Sequence, residues 1–202
     1  MKLLVATGNP GKRSEMEELL RGLPVQILSL TDLPNAPEVE EDGATLEENA
    51  AKKASEMAGY ADCFAVADDS GLFVDALDGE PGVRSARYAD GEPTPENLCG
   101  KLLREMANVP NEERTAYFRC CIAMAGPKGQ VRLTASGRCE GRITREMRGD
   151  GGFGYDPVFL YESEDRTFAE MEPHQKNAVS HRGRALQQFR RRFTEFLRAT
   201  SD

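Results

Sequence analysis

The sequence lacks the long apolar segments that mark membrane proteins and exported proteins. It contains no run of about 18 apolar residues, so no transmembrane helix is expected. The apolar stretch at the start of the chain ends after about five residues, which is too short for a signal peptide. No small-residue cleavage site follows that stretch. We therefore predict a cytoplasmic protein that does not bind a membrane.

The sequence is also poor in residues that build structural metal sites. It has five cysteines, an odd number, and no pair of them shows Cys-x-x-Cys spacing. This pattern argues against structural zinc and against a disulfide framework, so we expect reduced thiols in the core. The two histidines, His174 and His181, lack the spacing of a metal-binding pair.

An excess of positive charge is absent as well. The 34 acidic residues outnumber the 26 lysines and arginines, which gives a formal net charge of -8. This balance argues against a protein that coats nucleic acid or a membrane surface. An anionic ligand would therefore need a local positive pocket or a bridging metal ion.

The length and the order of predicted elements favour a single domain of mixed α/β architecture. The 202 residues contain no internal repeat, no low-complexity segment and no linker, so we predict one domain over residues 1–202. Helical and extended patterns are mixed, and hairpins occupy the middle of the chain, which favours a mixed sheet. A hairpin-rich excursion at about 60–145 is expected to form a smaller lobe beside a cleft.

Local signals predict where several elements begin and turn. Asn9, Thr45 and Thr94 suit helix N-cap positions, and a proline follows the first and the last of them. The stretch "CFAVADDSGLFVDAL" is interpreted as a strand, a polar turn and a second strand. A later stretch, "TAYFRCCIAMAGPKGQVRLTASGRCEGRI", is interpreted as a hairpin that turns at residues 126–129.

The first candidate site is the turn after the predicted strand at residues 2–7, with the sequence Thr7-Gly8-Asn9-Pro10-Gly11-Lys12. The free N–H groups of a helix N-terminus favour a phosphate, the glycines allow a close approach, and the lysine adds positive charge. The P-loop pattern is not met, because Ala6 stands where its first glycine is required and Arg13 follows the lysine. An ordinary capped helix with a surface lysine is the alternative.

The second candidate site is the run Asp68-Asp69-Ser70 at the end of an apolar strand. Two adjacent carboxylates are costly there unless they bind a cation or hydrogen-bond donors. Magnesium prefers a few carboxylates together with phosphate oxygens and water. The alternative is a tight turn, for which these residue types are common.

Two further candidate sites lie late in the chain. In "GGFGYDPVF", Phe153 and Tyr155 offer flat faces for a base, Gly154 gives backbone freedom, and Asp156 is suited to fixing ring N–H groups. The alternative is a loop whose aromatic rings are packed in the core.

In "KNAVSHRGRAL", Ser180 suits the cap of the last helix. Lys176, His181 and Arg182 would then crowd its first turn, where cations are unfavourable unless an anion or an oxygen-rich ligand is near. The alternative is a pair of exposed basic residues beside a solvated histidine.

Taken together, these motifs resemble the inosine triphosphate pyrophosphatase family, which comprises the noncanonical purine nucleoside triphosphate pyrophosphatases. Thr7, Asn9 and Lys12 meet the family pattern Thr/Ser-x-Asn-x-x-Lys. Other matching segments are "ADDSGL" at 67–72, "PGVRSARY" at 81–88, "GGFGYDPVF" at 151–159 and "SHRGRAL" at 180–186.

The resemblance implies a fold and an activity. The fold would be an elongated mixed sheet flanked by helices, with two lobes and a central active-site cleft. The activity would be Mg²⁺-assisted hydrolysis of dITP, ITP and XTP to the monophosphate and pyrophosphate, with water attacking the α-phosphorus. The protein would act on small-molecule nucleotides as a homodimer, without binding nucleic acid.

The resemblance also implies roles for single residues. Asp69 would be the catalytic carboxylate that binds Mg²⁺ or activates water, with Asp68 in support. A second acidic metal ligand would be Glu40 or Glu41, with Glu41 the first choice. Substrate contacts are expected from Thr7, Gly8, Asn9, Pro10, Gly11, Lys12, Ser70, Phe153, Gly154, Tyr155, Asp156, Lys176, His181 and Arg182.

Two other functions compete with this interpretation. A non-catalytic nucleotide sensor would use the phosphate-binding turn but would need neither Asp69 nor Mg²⁺. A related pyrophosphatase for modified pyrimidine nucleotides would share the chemistry, although the resemblance of the "SHR" segment favours purines.

Overall fold

The computed structural model describes residues 1–200 and has a mixed α/β fold. Its seven strands form one sheet in the order β2-β1-β3-β4-β5-β6-β7. The strands are Lys2–Val5 (β1), Gln26–Ser29 (β2), Phe64–Val74 (β3), Thr115–Ala125 (β4), Val131–Ile143 (β5), Phe159–Tyr161 (β6) and Arg166–Thr167 (β7).

Five α-helices accompany the sheet within the described residues. They are Pro10–Leu20 (α1), Leu46–Ala61 (α2), Pro95–Glu105 (α3), Pro173–Val179 (α4) and His181–Ala199 (α5). Short 3-10 helices lie at Leu30–Asp32, Asp75–Leu77, Gly82–Arg87, Asn111–Glu113, Asp156–Val158, Glu162–Glu164 and Phe168–Glu170.

Strand pairing confirms the predicted mixed sheet. β1 runs parallel to β2 and to β3, with Leu4 opposite Leu28 on one side and Ala65 on the other. β6 runs antiparallel to β5 and to β7, with Leu160 opposite Arg142 and Thr167. The sheet therefore combines both kinds of ladder, as the alternation of helical and extended patterns predicted.

The predicted helix caps are present. The side-chain oxygens of Asn9, Thr45 and Thr94 each accept the backbone N–H three residues later, at 3.1, 3.2 and 3.2 Å. These bonds satisfy N–H groups that lack a partner within the helix, so they fix where α1, α2 and α3 begin. The predicted hairpin turn is also present, since Gly126 N donates to Gln130 O at 2.9 Å between β4 and β5.

The predicted polar turn at residues 68–71 is wrong, because β3 continues through these residues without interruption. Gly71 shows what permits this. A Cβ at Gly71 would lie 2.3 Å from the carbonyl oxygen of Gly82, so the strand passes closer to a neighbouring backbone than any side chain allows. Tertiary packing has overridden the local turn preference of the sequence.

The contacts divide the chain into two compact units. The first unit comprises Met1–Asp69, Cys120–Gly137 and residues 184–200. Its core joins residues of β1, α1 and β4 to α5, including the fully buried rings of Phe189 and Phe193. The apolar spacing of α5 therefore marks core residues.

The second unit comprises Ser70–Arg119 and Arg138–Gly183. Its core joins Leu72, Leu102 and Phe118 to the buried rings of Phe159 and Phe168. The prediction of a single domain over residues 1–202, with a smaller lobe near 60–145, stays a prediction.

Two further features concern the apolar character of the helices and the state of the cysteines. None of the helices within residues 1–200 combines the length and the apolar character that a membrane crossing requires. All five cysteines are buried and carry free thiols, as expected for reduced core residues.

Candidate active site

Asp68 and Asp69 lie side by side in β3 of the first unit, and both are buried. Asp68 is 4% exposed and Asp69 is 6% exposed. Successive side chains of a strand point to opposite faces, so the two carboxylates meet different neighbours. Because a buried carboxylate is costly without compensation, the identity of those neighbours decides what each residue does.

Asp68 is compensated by a lysine from the first turn of α1. The Lys12 ammonium lies 3.0 Å from Oδ2 of Asp68. The turn before this helix is held by short-range bonds, since Asn9 N donates to Thr7 Oγ1 at 3.2 Å. Residues 8–11 are exposed at the amino end of the helix, where backbone N–H groups favour an anion.

Lys53 of α2 links Glu41, in the loop that precedes α2, to β3. Its ammonium donates to Oε1 of Glu41 and to the backbone oxygen of Asp68, both at 2.6 Å. Burial alone would lower the pKa of Lys53, but the charges of Asp68, Glu41 and Asp69 outweigh it, so the pKa is raised. Lys53 therefore stays a cation beside these carboxylates.

Asp69 is held by an amide. Nδ2 of Asn49 donates to Oδ2 of Asp69 at 2.9 Å, and Oδ1 of Asn49 accepts the N–H of Gly43 at 2.8 Å. Burial raises the pKa of Asp69, the Lys53 ammonium and the Asn49 amide oppose this shift, and Glu41 adds to it. The residues around the two aspartates are called the carboxylate cluster below and are Lys12, Glu41, Asn49, Lys53, Asp68 and Asp69.

The carboxylate cluster offers oxygen donors of the kind that magnesium prefers. Within residues 1–200, no group of three or more His, Cys, Asp or Glu side chains is placed to hold a metal ion. Mg²⁺ is usually bound through one or two carboxylates, with the remaining positions taken by water and substrate phosphates. Asp69 and the half-buried Glu41 fit that partial donor set, whereas Glu40 is exposed.

The second unit contains a group of cations around an aromatic ring. The Lys176 ammonium lies 4.4 Å from the centroid of the Phe153 ring, and the Arg182 guanidinium carbon lies 5.2 Å from it. Oδ2 of Asp156 accepts the Phe153 N–H at 2.7 Å and the Lys176 ammonium at 2.6 Å. The Asp156 carboxylate and the face of the Phe153 ring therefore both contact Lys176. These contacts fix the loop at residues 151–156.

The start of α5 completes this group. Ser180 Oγ accepts the Gly183 N–H at 3.1 Å, which confirms the predicted cap. The His181 ring stacks on Phe118 at 4.6 Å between centroids, and Arg182 donates to Ser70 Oγ at 3.4 Å. Phe153, Asp156, Lys176, His181 and Arg182 are called the ring cluster below.

A comparison with known families decides the relationship of the chain, since residues 3–192 match the Ham1 family. The chain belongs to the Ham1 family. The Ham1 chain is 56% identical over 185 residues to the dITP/XTP pyrophosphatase of Geobacter sulfurreducens, with 92% of each chain covered. It is 51% identical over 187 residues to the dITP/XTP pyrophosphatase of Desulforamulus reducens, again with 92% of each chain covered.

Solved structures agree with this assignment. A HAM1 protein from Coxiella burnetii superposes on the Ham1 chain with a TM-score of 0.90 at 41% identity. The superposition covers 96% of this chain and 99% of that protein. The predicted resemblance and the predicted mixed α/β fold are both confirmed.

The Ham1 structure places the predicted site residues in two groups. The first unit carries Thr7, Gly8, Asn9, Pro10, Gly11, Lys12, Glu40, Glu41, Asp68 and Asp69. The second unit carries Ser70, Phe153, Gly154, Tyr155, Asp156, Lys176, His181 and Arg182. Their functional roles stay predictions.

Two residues of the second unit differ from their expected placement. The Tyr155 ring does not offer a face to a base, because it is 3% exposed in the core and its hydroxyl donates to Ser85 O at 2.9 Å. Lys176 does not lie in the first turn of the last helix, because it belongs to the separate helix α4. Proline at the first position of α4 marks a helix start that the sequence interpretation missed.

Sequence reasoning also missed two members of the carboxylate cluster in the Ham1 chain, Asn49 and Lys53. They lie four residues apart on α2, next to the buried alanines at positions 50 and 54. Residues at this spacing share one face of a helix. A polar pair beside the apolar face of α2 was the signal that could have identified them.

Proposed function

We propose that this Ham1 protein hydrolyses the noncanonical purine nucleoside triphosphates dITP, ITP and XTP to the monophosphate and pyrophosphate. The observation that carries the proposal is the buried Asp69, which is bonded by the Asn49 amide and whose neighbour Asp68 is contacted by Lys12 and Lys53. The Geobacter and Desulforamulus relatives are named dITP/XTP pyrophosphatases, which supports this reaction with dITP and XTP as substrates.

The amino end of α1 is assigned to the phosphate chain of the substrate. The backbone N–H groups of the exposed Gly8 and Gly11 and the Lys12 ammonium supply positive potential there. Lys12 is 19% exposed on its side chain, so it reaches solvent while it contacts Asp68. A triphosphate would compete with Asp68 for this ammonium, while Lys53 continues to compensate Asp68.

The reaction requires a water molecule to be aligned with the α-phosphorus. Asp69 is the residue suited to orienting that water and to taking its proton, because a general base must lie within hydrogen-bond reach. Lys12 and Lys53 are suited to stabilising negative charge on the phosphate oxygens. When bound, Mg²⁺ would be held by Asp69 and Glu41, or by Glu40 in place of Glu41, and would neutralise charge on those oxygens.

The ring cluster is assigned to the base. Hypoxanthine and xanthine carry an oxygen at C6, where adenine carries an amino group. A donor such as Arg182, or a backbone N–H near His181, would donate a hydrogen bond to this oxygen but would face the amino group donor to donor. A mismatched buried donor costs about 1–3 kcal/mol, which gives selectivity against adenine. Phe153 supplies an aromatic face in a cationic surrounding.

Three further properties stay predictions. They are a homodimeric assembly, a cytoplasmic location, and the absence of nucleic-acid binding. The net charge of -8 supports the last of these, because phosphate backbones are bound by positive surfaces.

The test is pyrophosphate release from a panel of nucleotides, with a titration of Mg²⁺ and a chelator control. We expect dITP, ITP and XTP to be hydrolysed at least about fivefold faster than dATP at equal concentration, given one mismatched buried donor. Binding without pyrophosphate release would favour the nucleotide sensor. Preference for modified pyrimidine nucleotides would favour the related pyrophosphatase instead.

A further inference from the structure

Asn49 is a fully buried polar residue, 0% exposed, in the first turn of α2. Both ends of its amide are bonded, with Oδ1 accepting from Gly43 N and Nδ2 donating to Asp69 Oδ2. A backbone N–H can only donate, so the amide oxygen must face Gly43. The amino group of the amide must therefore face Asp69.

The loop that carries Glu41 packs closely against Asn49 at Gly43. A Cβ at Gly43 would lie 2.7 Å from Oδ1 of Asn49 and 2.9 Å from Cβ of Glu48. Any residue larger than glycine would push the amide away from its present position. One side chain thus connects the Glu41 loop to the Asp69 carboxylate.

An apolar side chain would suit this position better if packing were its sole purpose. The other buried residues of α2, which include Leu46, Ala50 and Ala54, are apolar. A buried amide loses its hydration and regains it only through specific partners. The partners of Asn49 are the Gly43 N–H and the Asp69 carboxylate, so its bonds are directed at the carboxylate cluster.

Resting on the proposed function, we infer that Asn49 is a positioning residue for Asp69. It fixes the rotation of the Asp69 carboxylate and ties it to the loop that carries Glu41, without touching the substrate itself. The two acidic side chains proposed to hold a divalent ion are thereby kept in a constant relation. Partners of this kind set the orientation of the groups that they bond.

Asn49→Asp removes the Nδ2 donor of Asn49 while keeping the shape of the side chain. This variant keeps an oxygen toward Gly43 but places a second acceptor against Asp69, which should displace the Asp69 carboxylate. Because a misplacement of about 1 Å can cost about 100-fold in rate, we expect kcat for dITP to fall about 100-fold. The KM for dITP should change by less than about threefold, since substrate contacts are untouched. Asn108→Asp, at an exposed position, is the charge-matched control and should retain its rate.

Gly43→Ala tests the same contact from the other side. It leaves Asn49 and Asp69 chemically intact, yet its methyl group should displace the amide. We expect the same fall in kcat at constant KM, and the double variant should lose less than the sum of the two single losses. If Asn49→Asp does not fold, as judged by circular dichroism, Gly43→Ala decides the question.

A binding measurement separates this inference from the proposed function. Mn²⁺ titration followed by electron paramagnetic resonance, without nucleotide, should show affinity about tenfold weaker in Asn49→Ala and in Gly43→Ala. If the wild-type protein releases no pyrophosphate, the proposed function fails, while the Mn²⁺ titration still tests Asn49. Unchanged Mn²⁺ affinity, kcat within threefold of wild type, or a rise in KM equal to the fall in kcat would each overturn the positioning role.

Discussion

Each of the two units contains an ion pair between a lysine and a buried aspartate, and the two pairs are built differently. Lys12 and Asp68 meet at 3.0 Å in the first unit, and the Lys12 side chain is 19% exposed. Lys176 and Asp156 meet at 2.6 Å in the second unit, and the Lys176 side chain is 9% exposed. The same residue types therefore occupy two different environments.

The neighbours of each pair explain the difference. Asp68 has a second cation nearby, Lys53, so its charge is compensated even when Lys12 turns elsewhere. Asp156 also accepts the Phe153 N–H, and Lys176 lies over the Phe153 ring, so each partner is fixed by a further contact. The first pair is thus suited to exchanging partners, and the second to holding a loop in place.

The largest effect is expected from Asp69→Asn, which probes whether the first unit carries the chemistry. The amide keeps the shape of the side chain but cannot act as a base, so kcat for dITP should fall by about 100- to 10,000-fold. Asp62→Asn, at an exposed position in the same unit, is the matched control. Pyrophosphate release within a few-fold of wild type would remove Asp69 from its assigned role.

The next-largest effect concerns the free energy of unfolding that each of the two ion pairs contributes. Asp156→Asn leaves Lys176 buried without its counter-charge, which should destabilise the protein by about 3–5 kcal/mol. Asp68→Asn should cost only about 1 kcal/mol, because Lys12 reaches solvent. Urea unfolding followed by circular dichroism measures both values. Equal losses in the two variants would show that the pairs do not differ.

Lys12→Ala tests whether the first pair exchanges partners with a triphosphate. A bond to a charged group is worth about 1.5–3 kcal/mol, so KM for dITP should rise about 10- to 150-fold. The increase should shrink at high salt, because the interaction is electrostatic. Lys128→Ala removes an exposed lysine and should leave KM unchanged. An unchanged KM in Lys12→Ala would contradict the phosphate assignment.

The smallest effect separates two adjacent glutamates. Glu41 is half-buried and bonded to Lys53, whereas Glu40 is exposed. We expect Glu41→Gln to raise the Mg²⁺ concentration for half-maximal rate by about tenfold, and Glu40→Gln to leave it unchanged. The reverse result would make Glu40 the metal ligand.

Features that depend on neighbouring residues were predictable from the sequence. The caps at Asn9 and Thr94 rest on a polar side chain, a following proline and a backbone N–H three residues later. The turn between β4 and β5 likewise needs only its own glycines. The resemblance added predicted roles for distant segments, which local patterns could not supply.

Features that depend on distant partners were not predictable in the same way. β3 continues through residues 68–71 because the backbone of Gly82 packs against Gly71, which a local turn signal cannot reveal. Tyr155 turns into the core because its hydroxyl finds Ser85 O, 70 positions away in the sequence. Asn49 and Lys53 gain their importance only when α2 meets β3.

The burial of the thiols has a practical consequence. All five cysteines are shielded and free, and burial raises the pKa of Cys99 to about 12. Alkylating reagents should therefore leave the native protein unmodified. A cysteine introduced at the exposed Lys128 would then accept a fluorophore or a spin label selectively, which gives a spectroscopic handle without removal of the native sulfur atoms.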